Sequence, residues 1–282
     1  MILLVGAQGF LGRRLVKALE DEGLEHLDAS HGAGADVQID LNMPVTALDL
    51  PRNISHAVIL SSITSVDECL KNPQRTEAFN VTHTCQLITA LTAQNIVPVF
   101  ISSDLVFEGR RGNYSEREQT EPGTAYGKQK RAVEEAIKQT STQHLIVRLG
   151  KLYTLEKDDN SPVSGLVKSL RQGEAVKAAI DQFLTPTVAE EVAQGIVQLI
   201  HMNAQGAFHL TPTQNGAVTR YEMAVAVADA IGADPALITK CSIDDFSFAE
   251  PRPKNSTLNG DKFQAFTNMR LTPFIEMAKH LT

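Results

Sequence analysis

Short apolar runs alternate with longer amphipathic segments along the first half of the chain. The apolar runs predict strands over Met1–Val5, up to about Asp28, over Ala57–Leu60, over Val97–Ser102 and over Leu145–Val147. Between them, apolar residues at helical spacing predict helices over Phe10–Asp21, Gln74–Gln94 and Ala125–Lys138. Continuous apolar strands separated by helices are typical of a parallel sheet that is covered on both faces. The pattern therefore predicts an α/β protein with a doubly wound parallel sheet.

The alternation becomes looser after Arg148, which predicts a smaller α+β portion. Thr187 with Glu190, and Thr219 with Glu222, have the spacing of capping boxes and predict two helix starts. Further predictions are a helix over Arg220–Ile231, a C-cap at Gly232 and a terminal helix over Phe274–Leu281. We expect a first domain over residues 1–150, which residues 187–211 rejoin, and a second domain over residues 151–282.

Composition narrows the class of protein. The chain has 282 residues, a formal charge of -7, no tryptophan and three cysteines. Three widely spaced cysteines argue against a disulfide framework and a zinc ribbon, and they favour a reducing, cytoplasmic compartment. A mildly acidic chain without a basic cluster is a poor partner for nucleic acid. No apolar stretch approaches the roughly 20 residues of a membrane helix, so we expect an enzyme or a nucleotide-binding module with no membrane partner.

A glycine-rich loop joins the first predicted strand to the first predicted helix. Gly6, Gly9 and Gly12 form a GxxGxxG motif there. The first glycine permits a tight turn, the second lets a pyrophosphate approach the backbone, and the third lets helix and strand pack closely. The helix N-terminus then offers free N–H groups and a positive partial charge to the phosphates. The motif predicts a Rossmann-type dinucleotide site with contacts from Gly6, Gln8, Gly9, Phe10, Leu11 and Gly12.

Acidic residues downstream bear on which cofactor binds. A carboxylate at the end of the second strand accepts hydrogen bonds from the adenosine ribose and repels a 2′-phosphate. We predict this role for Asp28, and contacts of Asp40 and Leu41 with the adenine. The expectation is NAD(H) or NADP(H), with a mild preference for NAD(H) that Arg13, Arg14 or His31 could weaken.

Tyr126 and Lys130 form a YxxxK motif at the start of a predicted helix. Four residues apart, they lie on one helical face. A nearby ammonium favours the phenolate, so we expect Lys130 to lower the pKa of Tyr126 below its usual value near 10. The same lysine can hold the nicotinamide ribose. Ser103, at the carboxyl end of the preceding strand, would orient a substrate carbonyl.

Some roles stay open on the residues alone. Arg252 either meets a substrate phosphate, which suits a guanidinium fork, or has a structural role in its loop. Asn80 either lines the nicotinamide side of the cleft or is a buried, satisfied amide. None of the eight histidines pairs with another ligand at metal-binding spacing, so we assign no metal.

Five motifs in order along the chain resemble one family. They are GAQGFLG, ISSDLVFEG, YGKQK, DQFLTPT at Asp181–Thr187 and RPKNSTL at Arg252–Leu258. Together they resemble the extended short-chain dehydrogenase/reductases, in the dTDP-4-dehydrorhamnose reductase branch that also includes the regulatory β subunit of methionine adenosyltransferase. The resemblance covers essentially the whole chain.

The resemblance implies a Rossmann NAD(P)-binding domain, a smaller sugar-nucleotide domain and a cleft between them. It implies Ser103, Tyr126 and Lys130 as a catalytic triad, and Asp28, Asp40, Leu41, Ser61 and Ser62 as cofactor contacts. Ser103 and Asp104 would also face the substrate.

Three positions depart from the family pattern. Leu105 stands where an aromatic tyrosine is usual, and Lys151 stands where rhamnose-pathway reductases place a substrate-contacting tryptophan. Arg14 replaces a glutamate that binds magnesium at a dimer contact in some members. These differences count against the ordinary rhamnose precursor and against a metal-linked dimer.

The sequence thus predicts an NAD(P)H-dependent reductase of a nucleotide-activated 4-keto sugar, as a monomer or homodimer. Tyr126 would be the general acid, and Ser103, Asp104, Lys151 and Arg252 would contact the substrate. One alternative is a catalytically silent, dinucleotide-binding regulatory subunit. The other is a nucleotide-sugar epimerase with tightly held NAD.

Overall fold

The computed structural model describes residues 1–32, 34–156, 161–213 and 216–281. The strands are β1 Ile2–Val5, β2 His26–Ser30, β3 Val37–Gln38, β4 His56–Ile59, β5 Val97–Ser103, β6 Leu145–Leu149, β7 Leu152–Tyr153, β8 Val176–Ala179, β9 Phe183–Leu184, β10 Thr187–Val188, β11 Gly206–His209, β12 Val218–Thr219 and β13 Ile238–Cys241. The α-helices are α1 Phe10–Asp21, α2 Val66–Lys71, α3 Pro73–Glu77, α4 Thr84–Thr92, α5 Ala125–Thr140, α6 Pro162–Arg171, α7 Ala189–His201, α8 Arg220–Ile231, α9 Asp261–Thr267 and α10 Phe274–Met277.

Seven strands form one parallel sheet in the order β11-β6-β5-β4-β1-β2-β3. Every residue of β1 and β6 is buried, as expected for strands covered on both faces. The order reverses between β1 and β4, and open α/β sheets bind ligands at the carboxyl ends of the strands beside such a reversal. The predicted doubly wound α/β fold is confirmed.

Two apolar layers flank the sheet. On one face, α1 and α7 pack on the strands through residues such as Leu15 and Ile196. On the other, α4 and α5 pack through Leu87, Leu91 and Val133. Since α7 and β11 both come from the second half of the chain, the segment from Ala189 to His209 returns to the sheet.

The remaining residues build a smaller α+β portion with its own core. Three two-stranded sheets pair β7 with β10, β9 with β12 and β8 with β13. Helices α6, α8 and α10 pack around Tyr153, Leu170, Val227 and Phe274, all of which are buried.

The two predicted capping boxes have different outcomes. Thr219 and Glu222 form the reciprocal bonds of a capping box, and Gly232 ends α8 in the left-handed conformation at φ 68°. The prediction at Thr187 is wrong. That residue belongs to β10, and its hydroxyl donates to the Thr185 carbonyl at 3.3 Å. Helix α7 begins two residues later, after Val188, without a side-chain cap.

The long helix predicted over Gln74–Gln94 contains a change of pitch. A π-helical turn over Ala78–His83 separates α3 from α4. Such turns are often found at functional sites, and this one carries Asn80. The terminal helix likewise ends early, at Met277, in a 3-10 turn over Ala278–His280. Across the described ranges, no helix is long and apolar enough to span a bilayer.

Candidate active site

A cleft of about 1050 Å³ lies at the carboxyl ends of the sheet strands and extends to the smaller portion. At one end lies the glycine loop. Gly6 has φ 98°, and a Cβ on Gly12 would lie 2.4 Å from the Ala7 carbonyl oxygen, so both positions require glycine. Helix α1 begins after Gly9 with no side-chain cap, which leaves its first N–H groups available to an anion.

Most of the predicted ligand-contacting residues line this one cleft. They are Gly6, Gln8, Gly9, Phe10, Leu11, Gly12, Asp40, Leu41, Ser61, Ser62, Ser103, Asp104, Tyr126, Lys151 and Arg252. The structure does not place Asp28 or Lys130 on the lining.

Asp28 is not among the residues that line the cleft. Strand β2 continues two residues beyond it, to Ser30, and Ser30, His31 and Gly32 line the cleft instead. The Asp28 carboxylate lies 4.0 Å from His26 Nε2, and burial raises its pKa. The end of β2 brings Ser30 and His31 to the cleft, whose lining also includes Arg13 from α1, and the contact of Asp28 with the ribose stays a prediction.

Asp40 and Leu41 line the cleft, and their contacts with the adenine stay a prediction. Hydrogen bonds from the Asn42 backbone and side chain, at 2.9 and 2.8 Å, hold the pKa of Asp40 below its usual value. Leu41 is 3% exposed and its carbonyl contacts His83 Nδ1 at 2.8 Å, so the turn that carries both residues is fixed to the π-helical turn.

The open question about Asn80 is answered by its contacts. The side chain is buried, and its Oδ1 accepts from Ser62 Oγ at 3.1 Å and from the Ile63 N–H at 2.8 Å. Its Nδ2 donates to Gln129 Oε1 at 2.7 Å. Asn80 is thus a satisfied buried amide that fixes the cleft-lining loop at Ser62 to α5.

Ser103 and Asp104 lie where β5 ends. Ser103 Oγ donates to Asp104 Oδ1 at 2.9 Å and accepts from the Leu105 N–H at 3.1 Å. The other Asp104 oxygen accepts from Ser256 Oγ at 2.6 Å. Burial raises the pKa of Asp104, which these hydrogen bonds partly oppose. A substrate oxygen that recruits the Ser103 hydroxyl must therefore compete with Asp104.

Tyr126 and Lys130 lie on one face of α5, but not as an ion-paired couple. Lys130 Nζ donates to the Ile101 carbonyl at 2.9 Å and lies 5.6 Å from the centre of the Tyr126 ring. Burial lowers the pKa of Lys130 to about 7. Burial and the charge of Asp104 raise the pKa of Tyr126, although the Ser62 hydroxyl opposes them. The expected lowering of the phenol pKa is thus not found.

A glycine brings these groups together. A Cβ on Gly127 would lie 2.0 Å from the Leu105 carbonyl oxygen. Helix α5 can therefore approach the turn after Ser103 only without a side chain at Gly127, and the preceding Tyr126 is thereby held beside the end of β5.

Three cations that influence one another, Lys151, Arg220 and Arg252, contribute to the lining of the cleft. Burial and the neighbouring cations lower the pKa values of Lys151 and Arg220. Arg252 Nη2 bonds Asp67 Oδ1 at 2.5 Å, and Arg220 Nε donates to Gln182 Oε1. Arg252 therefore holds its loop to α2 and also lines the cleft, while its contact with a substrate phosphate stays a prediction.

Sequence reasoning missed several residues that line the cleft, namely Ser30, Gln182, Arg220 and Ser256. Two of them stand in the quoted motifs DQFLTPT and RPKNSTL, which was a signal that could have been used. Arg220 follows a capping residue and had no such signal.

Arg14 lies away from the cleft, between two carboxylates. It is 7% exposed and bonds Glu156 Oε2 at 2.7 Å and Glu190 Oε1 at 3.3 Å. A guanidinium thus joins α1 to the start of α7.

A glycine loop at a strand-order reversal, with Ser, Tyr and Lys on β5 and α5, defines a Rossmann-type protein of the short-chain dehydrogenase/reductase class. The family model described as "RmlD substrate binding domain" matches residues 1–282. The chain belongs to that family, as the resemblance implied.

Three known proteins illustrate the relationship. A dTDP-4-keto-6-deoxy-D-glucose reductase of Streptomyces niveus is 28% identical over 99% of this chain and 94% of its own length. The crystal structure of a dTDP-4-dehydrorhamnose reductase of Clostridium acetobutylicum matches 99% of this chain and 97% of its own with TM-score 0.84 and 25% identity. The crystal structure of a dTDP-4-dehydrorhamnose reductase of Bacillus anthracis in complex with NADP matches 99% of this chain and 97% of its own, with TM-score 0.85 and 22% identity.

Proposed function

We propose that this protein is an NAD(P)H-dependent reductase of a nucleotide-activated 4-keto sugar. The observation that carries the proposal is the layout of the cleft. The glycine loop, Ser103, Tyr126 and the cations Lys151, Arg220 and Arg252 all line this one cleft. The names of the relatives support a sugar-nucleotide reductase.

The residues present fit a nicotinamide dinucleotide. The absence of a side chain at Gly9 and the uncapped start of α1 suit a pyrophosphate, and Asp40 and Leu41 suit the adenine. Lys130 lies behind Tyr126, where it could reach the nicotinamide ribose by leaving the Ile101 carbonyl. When bound, the cofactor supplies the hydride.

Tyr126 is suited to donate the proton that the reduced carbonyl oxygen requires. Its raised pKa keeps the phenol protonated across the neutral range. Ser103 would orient the carbonyl by turning its hydroxyl from Asp104 toward the substrate. General acid catalysis of this kind is typically worth about 10²–10⁴-fold.

The cation cluster is suited to the diphosphate that links nucleoside and sugar. Lys151 and Arg220 form no ion pair with a carboxylate within the described ranges, and Arg252 shares one with Asp67. Cations in a cleft that have no carboxylate partner attract an anionic ligand. Lys151 lacks the flat apolar surface of the tryptophan expected there, so we propose a sugar other than the ordinary rhamnose precursor.

The two-domain division is part of the proposal. Residues 1–150, together with 187–211, would bind the dinucleotide, and the remaining residues from 151 onward would bind the sugar nucleotide. The return of α7 and β11 to the sheet supports this division.

The test is a screen of nucleoside-diphosphate 4-keto sugars with NADH and NADPH. Turnover is measured as the loss of reduced-nicotinamide absorbance. We expect turnover with at least one sugar, poor turnover of dTDP-4-dehydrorhamnose, and loss of turnover in Tyr126→Phe. Cofactor binding without turnover of any sugar would contradict the proposal and favour the regulatory-subunit alternative. Interconversion of sugar epimers with bound NAD and no net oxidation would favour the epimerase.

A further inference from the structure

Glu134, one helical turn beyond Lys130 on α5, forms a fully buried ion pair with Arg148 on β6. Glu134 is 1% exposed and Arg148 is 2% exposed. The two Glu134 oxygens accept from Arg148 Nε at 2.9 Å and from Arg148 Nη2 at 2.6 Å. Glu134 Oε1 also accepts from Ser102 Oγ at 2.6 Å. Because a buried charge without its partners is strongly destabilising, this cluster tolerates little displacement.

The cluster ties one helix to three adjacent strands at a single level. Ser102 on β5 is in register with Arg148 on β6, which is in register with His209 on β11. Arg148 Nη1 lies 3.2 Å from His209 Nε2. Burial and the charge of Arg148 lower the pKa of His209 to about 3, so the ring is neutral and its Nε2 can accept this bond.

The same helix and the same strand carry the reacting side chains. Lys130 precedes Glu134 by four residues and Tyr126 precedes it by eight, so all three share one face of α5. Ser103 directly follows Ser102 on β5. A slide of α5 along the sheet would therefore change the separation of Tyr126 and Ser103, and a misplacement of about 1 Å can cost on the order of 10²-fold in rate.

We infer that Glu134 and Arg148 are positioning residues that fix Tyr126 and Lys130 relative to Ser103. The inference rests on the proposed function, because it concerns the same site. Stability alone does not account for the pair, since apolar residues of similar volume in place of a buried ion pair often leave stability unchanged or raise it. A role in fixing the position of α5 along β5 does account for the buried pair.

The decisive variant replaces both charges, as Glu134→Leu with Arg148→Met. The control is Arg131→Gln with Glu135→Gln, which removes an exposed pair joined at 2.7 Å on the same helix. We expect the buried double variant to keep its melting temperature within a few degrees while kcat falls at least about tenfold. NADPH binding is measured by NADPH fluorescence. Because Lys130 shifts, we expect the double variant to bind NADPH at least about fivefold more weakly. We expect the control variant to match wild type in both kcat and NADPH affinity.

A folded double variant with wild-type kcat and wild-type NADPH affinity would overturn the inference. If the double variant fails to fold, Ser102→Ala and Glu134→Gln decide it. Each keeps part of the cluster, so we expect a smaller loss of kcat, with Glu134→Gln retaining more activity than Glu134→Ala. Wild-type kcat and NADPH affinity in both would overturn the inference. A wild-type protein that reduces no keto sugar would overturn the proposed function instead, and NADPH affinity would still test the positioning role.

Discussion

Lys130 Nζ donates a 2.9 Å hydrogen bond to the Ile101 carbonyl, while the Tyr126 ring centre lies 5.6 Å away. The lysine therefore does not neutralise a phenolate in this arrangement, and burial dominates both groups. The amine loses its proton more readily than usual, and the phenol keeps its proton more firmly. Tyr126 is poised as a proton donor rather than as a proton acceptor.

Removal of the Tyr126 hydroxyl tests this role. Tyr126→Phe keeps the ring and its packing, so we expect an unchanged melting temperature and unchanged NADPH affinity. We expect kcat to fall by about 10²–10⁴-fold because the proton donor is lost. Steady-state reduction of a sugar found in the screen gives kcat, and near-normal turnover would refute the assignment.

The pKa of Lys130 predicts how stability varies with pH. The folded pKa of about 7 lies below the unfolded value of about 10.4. Between these values the unfolded chain binds a proton that the folded chain has released, so this group makes the free energy of unfolding rise with pH. The slope is at most about 1.4 kcal/mol per pH unit, and it vanishes below pH 7, where both states are protonated.

Urea unfolding of wild type and Lys130→Met at pH 6, 7, 8 and 9 measures this contribution. The difference between the two proteins should change only slightly from pH 6 to 7 and should then shift more steeply in favour of wild type. A constant difference throughout would mean that Lys130 titrates near its ordinary value. The comparison cancels other groups that titrate in the same range.

Cofactor choice should depend on Arg13 rather than on Asp28. Arg13, Ser30 and His31 line the cleft at the end of β2, whereas Asp28 does not. We expect NADPH to bind at least as well as NADH. Arg13→Ala should weaken NADPH binding by about tenfold with little effect on NADH, since charge-assisted bonds to phosphate contribute about 1.5–3 kcal/mol. Asp28→Asn is the matched control. A change in its NADPH-to-NADH affinity ratio would support the predicted contact of Asp28 with the adenosine ribose.

Two glycines of the loop should respond differently to the same substitution. A Cβ on Gly9 would meet one atom, the Gly6 carbonyl oxygen at 3.2 Å, whereas one on Gly12 would meet backbone at 2.4 Å. Gly9→Val should fold and lose cofactor affinity, because its side chain would occupy the path of the pyrophosphate. Gly12→Val should lower the melting temperature itself. Calorimetry and NADPH titration separate the effects, and full affinity in a folded Gly9→Val would place the pyrophosphate elsewhere.

Local pattern was enough for most of the sheet and its helices. The helix over Phe10–Asp21 and the one over Arg220–Ile231 have the bounds that were predicted, because amphipathic spacing and end signals agree there. The last residues of the strands were predicted less accurately. Strand β2 continues two residues beyond Asp28, to Ser30, and apolar alternation does not specify where a strand stops.

Contacts between distant segments were beyond reach of the sequence. Thr187 has the spacing of a helix cap but joins β7 through β10, because pairing across the fold outweighs a local preference. Lys151, Arg220 and Arg252 come together only through the packing of the smaller portion. The lowered pKa of Lys130 and the raised pKa of Tyr126 arise from burial, which the YxxxK spacing does not reveal.

The edge strand β11 also bears on how the protein is made. Its four residues, Gly206–His209, close the sheet against β6, and α7 just before it covers α1. When a ribosome has released only the first 150 residues, the glycine loop and the Ser–Tyr–Lys set exist, yet β6 is an open edge and the apolar face of α1 is bare. Domains generally fold in order as they emerge. Here the sheet and the cover of α1 are completed only after α7 and β11 have been synthesised.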